Sequence, residues 1–147
     1  MKKILIPVTN HATLGDTDQT NGTYSPEITH AIHVFMENGI EYDIASIKGG
    51  KAPLYGTDIE DDSVNDNVLA DEGFQNRINN TIPVTQINID DYDAVFYPGG
   101  FGKESFRWDV LHFYFQYPSL NKRFYHQRKT TIYGLVRYPG IYRAHAK

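Results

Sequence analysis

The feature that most constrains the fold is a strand–helix–strand pattern within the first 47 residues. Lys3–Thr9 carries a continuous apolar run, which is typical of a strand buried on both faces of a parallel sheet. A helix is predicted from Ser25, and a second strand lies within Ile40–Ile47. A helix that joins two parallel strands forms a right-handed βαβ unit. The sequence therefore predicts an α/β protein with a parallel sheet.

The predicted helix has a defined start, an apolar face and a defined end. Ser25 is expected to cap it, with Pro26 in the first turn and Glu27 at the positive end of the helix dipole. Apolar side chains then recur at helical spacing: Ile28, Ala31, Ile32, Phe35 and Met36. Asn38-Gly39 predicts a left-handed end.

The next elements are predicted from shorter patterns. Val68–Asn80 is expected to form a helix, and Thr81–Ile89 a short edge strand or an extended link. Ala94–Tyr97 is predicted to be a buried strand that stops in a tight turn at Pro98-Gly99-Gly100. His11–Tyr24 is predicted to be a loop after the first strand; it is either a solvated connection or part of a ligand site, because ligands bind at the carboxyl ends of strands in parallel sheets.

Two groups of polar residues have partial metal-site spacing. His30 and His33 are neighbours on the predicted helix but have no third ligand nearby in the sequence. Asp61 begins a segment with the spacing of a calcium loop, but Asp66 stands where that loop needs glycine. We therefore expect no metal and no cofactor.

Charge and aromatic residues are distributed unevenly along the chain. Residues 1–102 hold 16 Asp and Glu against 5 Lys and Arg, a net charge of −11, whereas residues 103–147 carry +7. The last 45 residues also hold 11 of the 20 aromatic side chains, without a clear period. This change predicts a basic, aromatic tail of unclear fold after residue 102.

Composition excludes several classes of chemistry. The chain has no cysteine, so disulfides, thiolate metal sites and a cysteine nucleophile are all excluded. No run approaches the roughly 18 apolar residues of a membrane span, and the start lacks the features of a signal peptide. A cytoplasmic protein that does not bind membranes is expected.

Several spaced motifs together resemble the ThiJ/PfpI superfamily, which is class I glutamine-amidotransferase-like, and in particular its chaperone, glyoxalase III and protein deglycase branch. The motifs are Lys2–Val8, Gly22–Glu27, Glu37–Gly39, Asp43–Ser46, Gly49–Pro53 and Tyr92–Gly102. The resemblance covers about residues 1–102 and implies a flavodoxin-like parallel sheet with flanking helices. Because the chain is shorter than the family domain, we expect that sheet to be truncated at its C-terminal side.

The resemblance also implies an active site and a substrate class. Glu27 matches the family carboxylate that faces a nucleophilic thiol, and Gly100 matches the backbone N–H of an oxyanion hole. The family substrate would be a small reactive carbonyl such as methylglyoxal. The cysteine-histidine motif is missing, and Phe101 replaces the histidine usual after the two glycines. The sequence therefore predicts a family member that is catalytically inactive as written.

A shift of reading frame would explain the change of character after Gly102. Read one base out of frame, with codons left free, Ser119–Lys129 permits the string Ala-Leu-Ile-Lys-Asp-Phe-Ile-Thr-Asn-Gly-Lys. That string resembles the family helix and turn that precede the cysteine strand. We therefore hypothesise that a frameshift replaced the catalytic half with an out-of-frame tail.

Two non-enzymatic functions remain open. An incomplete sheet would expose a strand edge, so the chain could bind partner chains in a chaperone-like way or form a homo-oligomer. The nine basic residues of the tail could bind nucleic acid, but no nucleic-acid-binding motif accompanies them, which makes this the less favoured alternative.

Overall fold

The computed structural model describes residues 2–13 and 17–99 and the backbone of residues 130–133. The described strands are β1 Lys3–Val8, β2 Thr23–Tyr24, β3 Glu41–Ser46, β4 Leu54–Tyr55, β5 Ile82–Pro83, β6 Ala94–Tyr97 and β7 Thr130–Tyr133. The described α-helices are α1 Ser25–Glu37, α2 Ser63–Ala70 and α3 Glu72–Asn79. Five strands form one sheet in the order β5-β3-β1-β6-β7, while β2 and β4 form a separate two-stranded sheet.

All pairings within the described sheets are parallel. Strands β1 and β3 align Ile4 with Tyr42, and α1 makes the connection between them. On the other side of β1, Leu5 pairs with Val95 of β6. The expected α/β fold, with a flavodoxin-like parallel sheet and flanking helices, is confirmed.

The hydrophobic core lies on both faces of this sheet because successive residues of a strand point to opposite faces. Ile4 and Ile6 of β1 pack with the helices, in a cluster whose fully buried members include Ile28, Ile32 and Phe74. Leu5 lies in a second cluster. Its other buried members are Ala45, Val84, Ile89, Tyr92, Val95 and Tyr97.

For α1, the predicted Ser25 cap is wrong and the predicted left-handed end is confirmed. Tyr24, not Ser25, occupies the N-cap position, and no side-chain hydrogen bond caps the helix, because the Ser25 hydroxyl is used by a buried partner. Met36, the last residue of the apolar spacing, lies in the last turn of α1 and is 47% exposed. Gly39 has a φ of 62°, which confirms the left-handed end.

The segment predicted as one helix over Val68–Asn80 is two helices. Helix α2 begins earlier, at Ser63, and ends before Asp71, whose backbone is extended. The Asp71 side chain accepts a hydrogen bond from the Phe74 N–H at 2.7 Å and so caps α3. The edge strand expected within Thr81–Ile89 is present as β5.

Strand β6 has the predicted bounds, and one further strand lies in the tail. No element was predicted after residue 102, yet the backbone of β7 pairs in parallel with β6 from Ala94–Thr130 to Tyr97–Tyr133. The rest of the predicted tail, residues 103–129 and 134–147, lies outside the described residues. Within the described part of the chain, no helix is long and apolar enough to cross a membrane.

Candidate functional site

The candidate site lies where the carboxyl ends of β1 and β6 meet the first turn of α1. The N–H of Gly99, two residues beyond β6, donates a hydrogen bond to the Glu27 carboxylate. The carbonyl oxygen of Gly99 accepts a hydrogen bond from the Tyr24 N–H at 3.0 Å. Both backbone polar groups of Gly99 are therefore bound by the start of α1, which fixes the Pro-Gly turn against Glu27.

The topology explains why this contact forms at this edge of the sheet. The chain runs from β1 outward to β3 and β5 and then returns to the opposite side of β1 as β6. In open parallel sheets, ligands bind at the carboxyl edge where the strand order reverses in this way. The turn after β6 and the helix after β1 both lie at that position.

Burial and hydrogen bonding act in opposite directions on Glu27. The side chain is half-buried, and desolvation raises the pKa of its carboxyl group above the ordinary value of 4.5. The hydrogen bond from the Gly99 N–H favours the charged form and offsets part of this rise in the pKa. The group is thus a carboxyl that retains its proton to higher pH than an exposed glutamate.

The raised pKa predicts a pH dependence of stability. The native state binds the Glu27 proton more tightly than the unfolded state, so the contribution is fully present below pH 4.5 and is lost as pH rises through the native pKa. The free energy of unfolding, compared with that of Glu27→Gln, is expected to fall across this window and then level off. Urea titrations of both proteins from pH 4 to 8 measure the two free energies of unfolding. A difference between them that stays constant with pH would contradict the prediction.

The loop before α1 is held by the small β2–β4 sheet. The Thr23 N–H donates to the Pro53 carbonyl oxygen at 3.0 Å. The ring centroids of Tyr24 and Tyr55 lie 5.1 Å apart. Gly22 has a φ of 146°, and its Cα packs closely against the backbone of Pro53. These contacts set the position of Tyr24, whose N–H binds Gly99. Sequence analysis did not predict either of these two strands.

A buried polar cluster supports the other side of the first turn of α1. Asn65 of α2 accepts hydrogen bonds at its Oδ1 from the Ser25 hydroxyl at 2.6 Å and the Thr29 hydroxyl at 2.8 Å. All three residues are fully buried. Their spacing along the sequence carries no signal for this contact, so sequence analysis did not identify it.

The polar groups with partial metal-site spacing have other partners. His30 Nε2 lies 2.9 Å from the carboxylate of Asp62, and His33 Nε2 lies 3.4 Å from Glu37. Asp62 also caps α2, so the segment with calcium-loop spacing is mostly helical. Among the described residues, no three His, Asp or Glu side chains group together as metal ligands would.

Comparison with known proteins identifies the fold. No family model and no curated protein matches the sequence. Solved structures do match, among them the 24 kDa Rapid Encystment Protein of Francisella tularensis, with 27% identity and a TM-score of 0.74. Another is glyoxalase III of Candida albicans, with 19% identity and a TM-score of 0.63. The chain has a ThiJ/PfpI-like fold.

The match spans most of this chain but only part of the other two. Each alignment covers 90% of the present chain, against 58% of the Francisella protein and 56% of the Candida enzyme. The chain therefore accounts for a little over half the length of these ThiJ/PfpI-like structures.

Of the site residues that the ThiJ/PfpI resemblance implies, the described structure includes Glu27. Gly100, with its expected oxyanion-hole N–H, lies outside the described residues, as does Phe101. The described backbone ends one residue earlier, at Gly99, whose N–H binds Glu27. The roles of Glu27 and Gly100 remain predictions.

Proposed function

We propose that this chain is a ThiJ/PfpI-like protein whose site binds small reactive carbonyl compounds but does not catalyse their conversion. The observation that carries the proposal is the hydrogen bond from the Gly99 N–H to the Glu27 carboxylate, in a chain without cysteine. The carboxyl group and the turn are in place at the carboxyl edge of the sheet. The atom that would form a covalent bond to the substrate is not encoded in these 147 residues.

The division of chemical roles explains the expected inactivity. In a glyoxalase III or deglycase type reaction, a thiolate attacks the carbonyl carbon of the substrate. Glu27 would transfer the proton, and the Gly100 N–H would stabilise the oxyanion. A carboxyl group and a backbone N–H provide proton transfer and charge stabilisation, but neither provides the nucleophile. Ser, Thr and Tyr hydroxyls are weak nucleophiles unless an adjacent base activates them.

Methylglyoxal consumption by the purified 147-residue chain tests this proposal. Wild type and Glu27→Gln are both expected to consume methylglyoxal no faster than buffer, because the nucleophile is missing from each. The glyoxalase III of Candida albicans serves as the positive control under the same conditions. Turnover by wild type that disappears in Glu27→Gln would contradict the proposal and indicate a mechanism without a thiol.

The other functional expectations stay predictions. Strand β7 lies at one edge of the described sheet, and self-association through a sheet edge remains the alternative to carbonyl recognition. Nucleic-acid binding by the basic residues 103–147 and a cytoplasmic location also remain predictions.

A further inference from the structure

We infer that Asn65 is a positioning residue for the Glu27 carboxylate, acting through Ser25 and Thr29. The inference builds on the proposed function only in the reason why the position of Glu27 matters. Two sets of hydrogen bonds on opposite sides of the first turn of α1 support it: one set joins the turn to Asn65 of α2, and the other joins Glu27 to Gly99.

Asn65 is itself held in one orientation. Its N–H donates to the Asp62 carboxylate at 3.0 Å, in the first turn of α2. Its side-chain Nδ2 points to the Gly56 carbonyl oxygen at 3.4 Å. A carbonyl oxygen needs a donor, so the amide nitrogen must face Gly56, and Oδ1 must face the two hydroxyls of α1. The side chain therefore offers α1 a fixed acceptor.

The two hydroxyls surround Glu27 in sequence and lie on the other side of the helix. Ser25 and Thr29 are four residues apart and share one face of α1, whereas Glu27 lies about 200° away around the axis from each. The single Thr29 hydroxyl proton is shared between two acceptors, Asn65 Oδ1 at 2.8 Å and the Ser25 carbonyl oxygen at 2.9 Å. The first turn is thus bound to Asn65 on one side and to Gly99 on the other.

Burial makes these polar contacts specific. Ser25, Thr29 and Asn65 are all fully buried, so bulk water cannot replace Asn65 as the acceptor for the Ser25 hydroxyl, whereas the Thr29 hydroxyl keeps the Ser25 carbonyl oxygen. Rotation or fraying of the first turn would break both hydroxyl contacts at once. Asn65 therefore restricts the turn to the arrangement in which the Glu27 carboxylate meets the Gly99 N–H.

Amide hydrogen exchange in the full chain tests the inference without any activity. In Asn65→Ala, the Gly99 amide is expected to exchange about tenfold faster than in wild type, relative to the change at Ile6 in the centre of β1. The Ile6 amide reports general destabilisation, because an amide at the centre of a buried strand exchanges mainly through global unfolding. Carboxyl carbon NMR, with the Glu27 signal assigned by Glu27→Gln, should show the Glu27 pKa moving back toward its ordinary value as the turn opens to water.

Matched variants separate positioning from packing. Thr29→Val keeps the side-chain volume and removes the hydroxyl, so it is expected to reproduce the effect of Asn65→Ala at Gly99, at about threefold. Thr29→Ser keeps the hydroxyl and should stay close to wild type at Gly99. Val68→Ala, a buried apolar change on α2, the helix of Asn65, should accelerate Gly99 no more than Ile6.

Equal acceleration at Gly99 and Ile6 in both Asn65→Ala and Thr29→Val would overturn the inference and leave Asn65 a purely structural residue. If Asn65→Ala does not fold, the Thr29 pair decides alone. Failure here is distinguishable from failure of the proposed function, because methylglyoxal turnover would refute the latter and leave these exchange rates unchanged.

Discussion

Replacing Gly22 with alanine is expected to lower the free energy of unfolding by about 4 kcal/mol, a large part of the stability of a domain this size. Gly22 has a φ of 146°, a region that is essentially restricted to glycine. An added Cβ would also lie 2.5 Å from the Pro53 carbonyl oxygen, which already accepts the Thr23 N–H. The collision is with backbone, so no side chain can move aside to relieve it.

Gly50→Ala is the matched control for Gly22→Ala. Gly50 also has a positive φ, of 72°, but nothing lies within 4 Å of the position of its Cβ. It is expected to cost only about 1 kcal/mol, the usual penalty for a left-handed residue with a side chain. Urea denaturation followed by circular dichroism measures both. Equal losses would show that the contact with Pro53 contributes nothing to the effect at Gly22.

Truncating Phe74 to alanine is expected to cost about 4 kcal/mol of unfolding free energy. Phe74 is 0% exposed and is the largest of the fully buried side chains in the described structure. It lies at the start of α3, in the core cluster that joins the helices to the sheet. Its removal leaves a cavity between α3 and the sheet that the two short helices cannot fill without moving.

Val34→Ala provides the control for Phe74→Ala, because Val34 is apolar and helical but 50% exposed. It is expected to change the free energy of unfolding by less than about 0.5 kcal/mol. Equilibrium denaturation in urea compares the two variants with wild type. A loss below about 1 kcal/mol for Phe74→Ala would contradict the packing assigned to α3.

The elements that sequence analysis predicted well are those with a strong local signal. The apolar side chains of β1 and β6 can be buried on both faces of the strand only if each strand lies inside a sheet. Gly39 marked the end of α1 because few other residues adopt its left-handed backbone. Glu27 was identified through a family motif, because a glutamate in the first turn of a helix is common and does not by itself indicate an active site.

The features that were missed depend on contacts between distant residues. Ser25 has the chemistry of a helix cap, but a hydroxyl 2.6 Å from Asn65, 40 positions later, is used elsewhere. Strands β2 and β4 have two residues each, too few for any alternation to be visible. The helix break at Asp71 required knowing that its side chain would accept from the Phe74 N–H.

The sequence separation of Glu27 and Gly99 determines the stage of translation at which the site can form. The two residues are 72 positions apart, so at a synthesis rate of about 5–20 residues per second Glu27 leaves the ribosome several seconds before Gly99. The β1–α1–β3 unit needs only the first 46 residues and can assemble during that interval. A nascent chain that stops short of β6 would therefore contain the carboxylate on a helix but no site, which makes the site a marker of completed translation through Gly99.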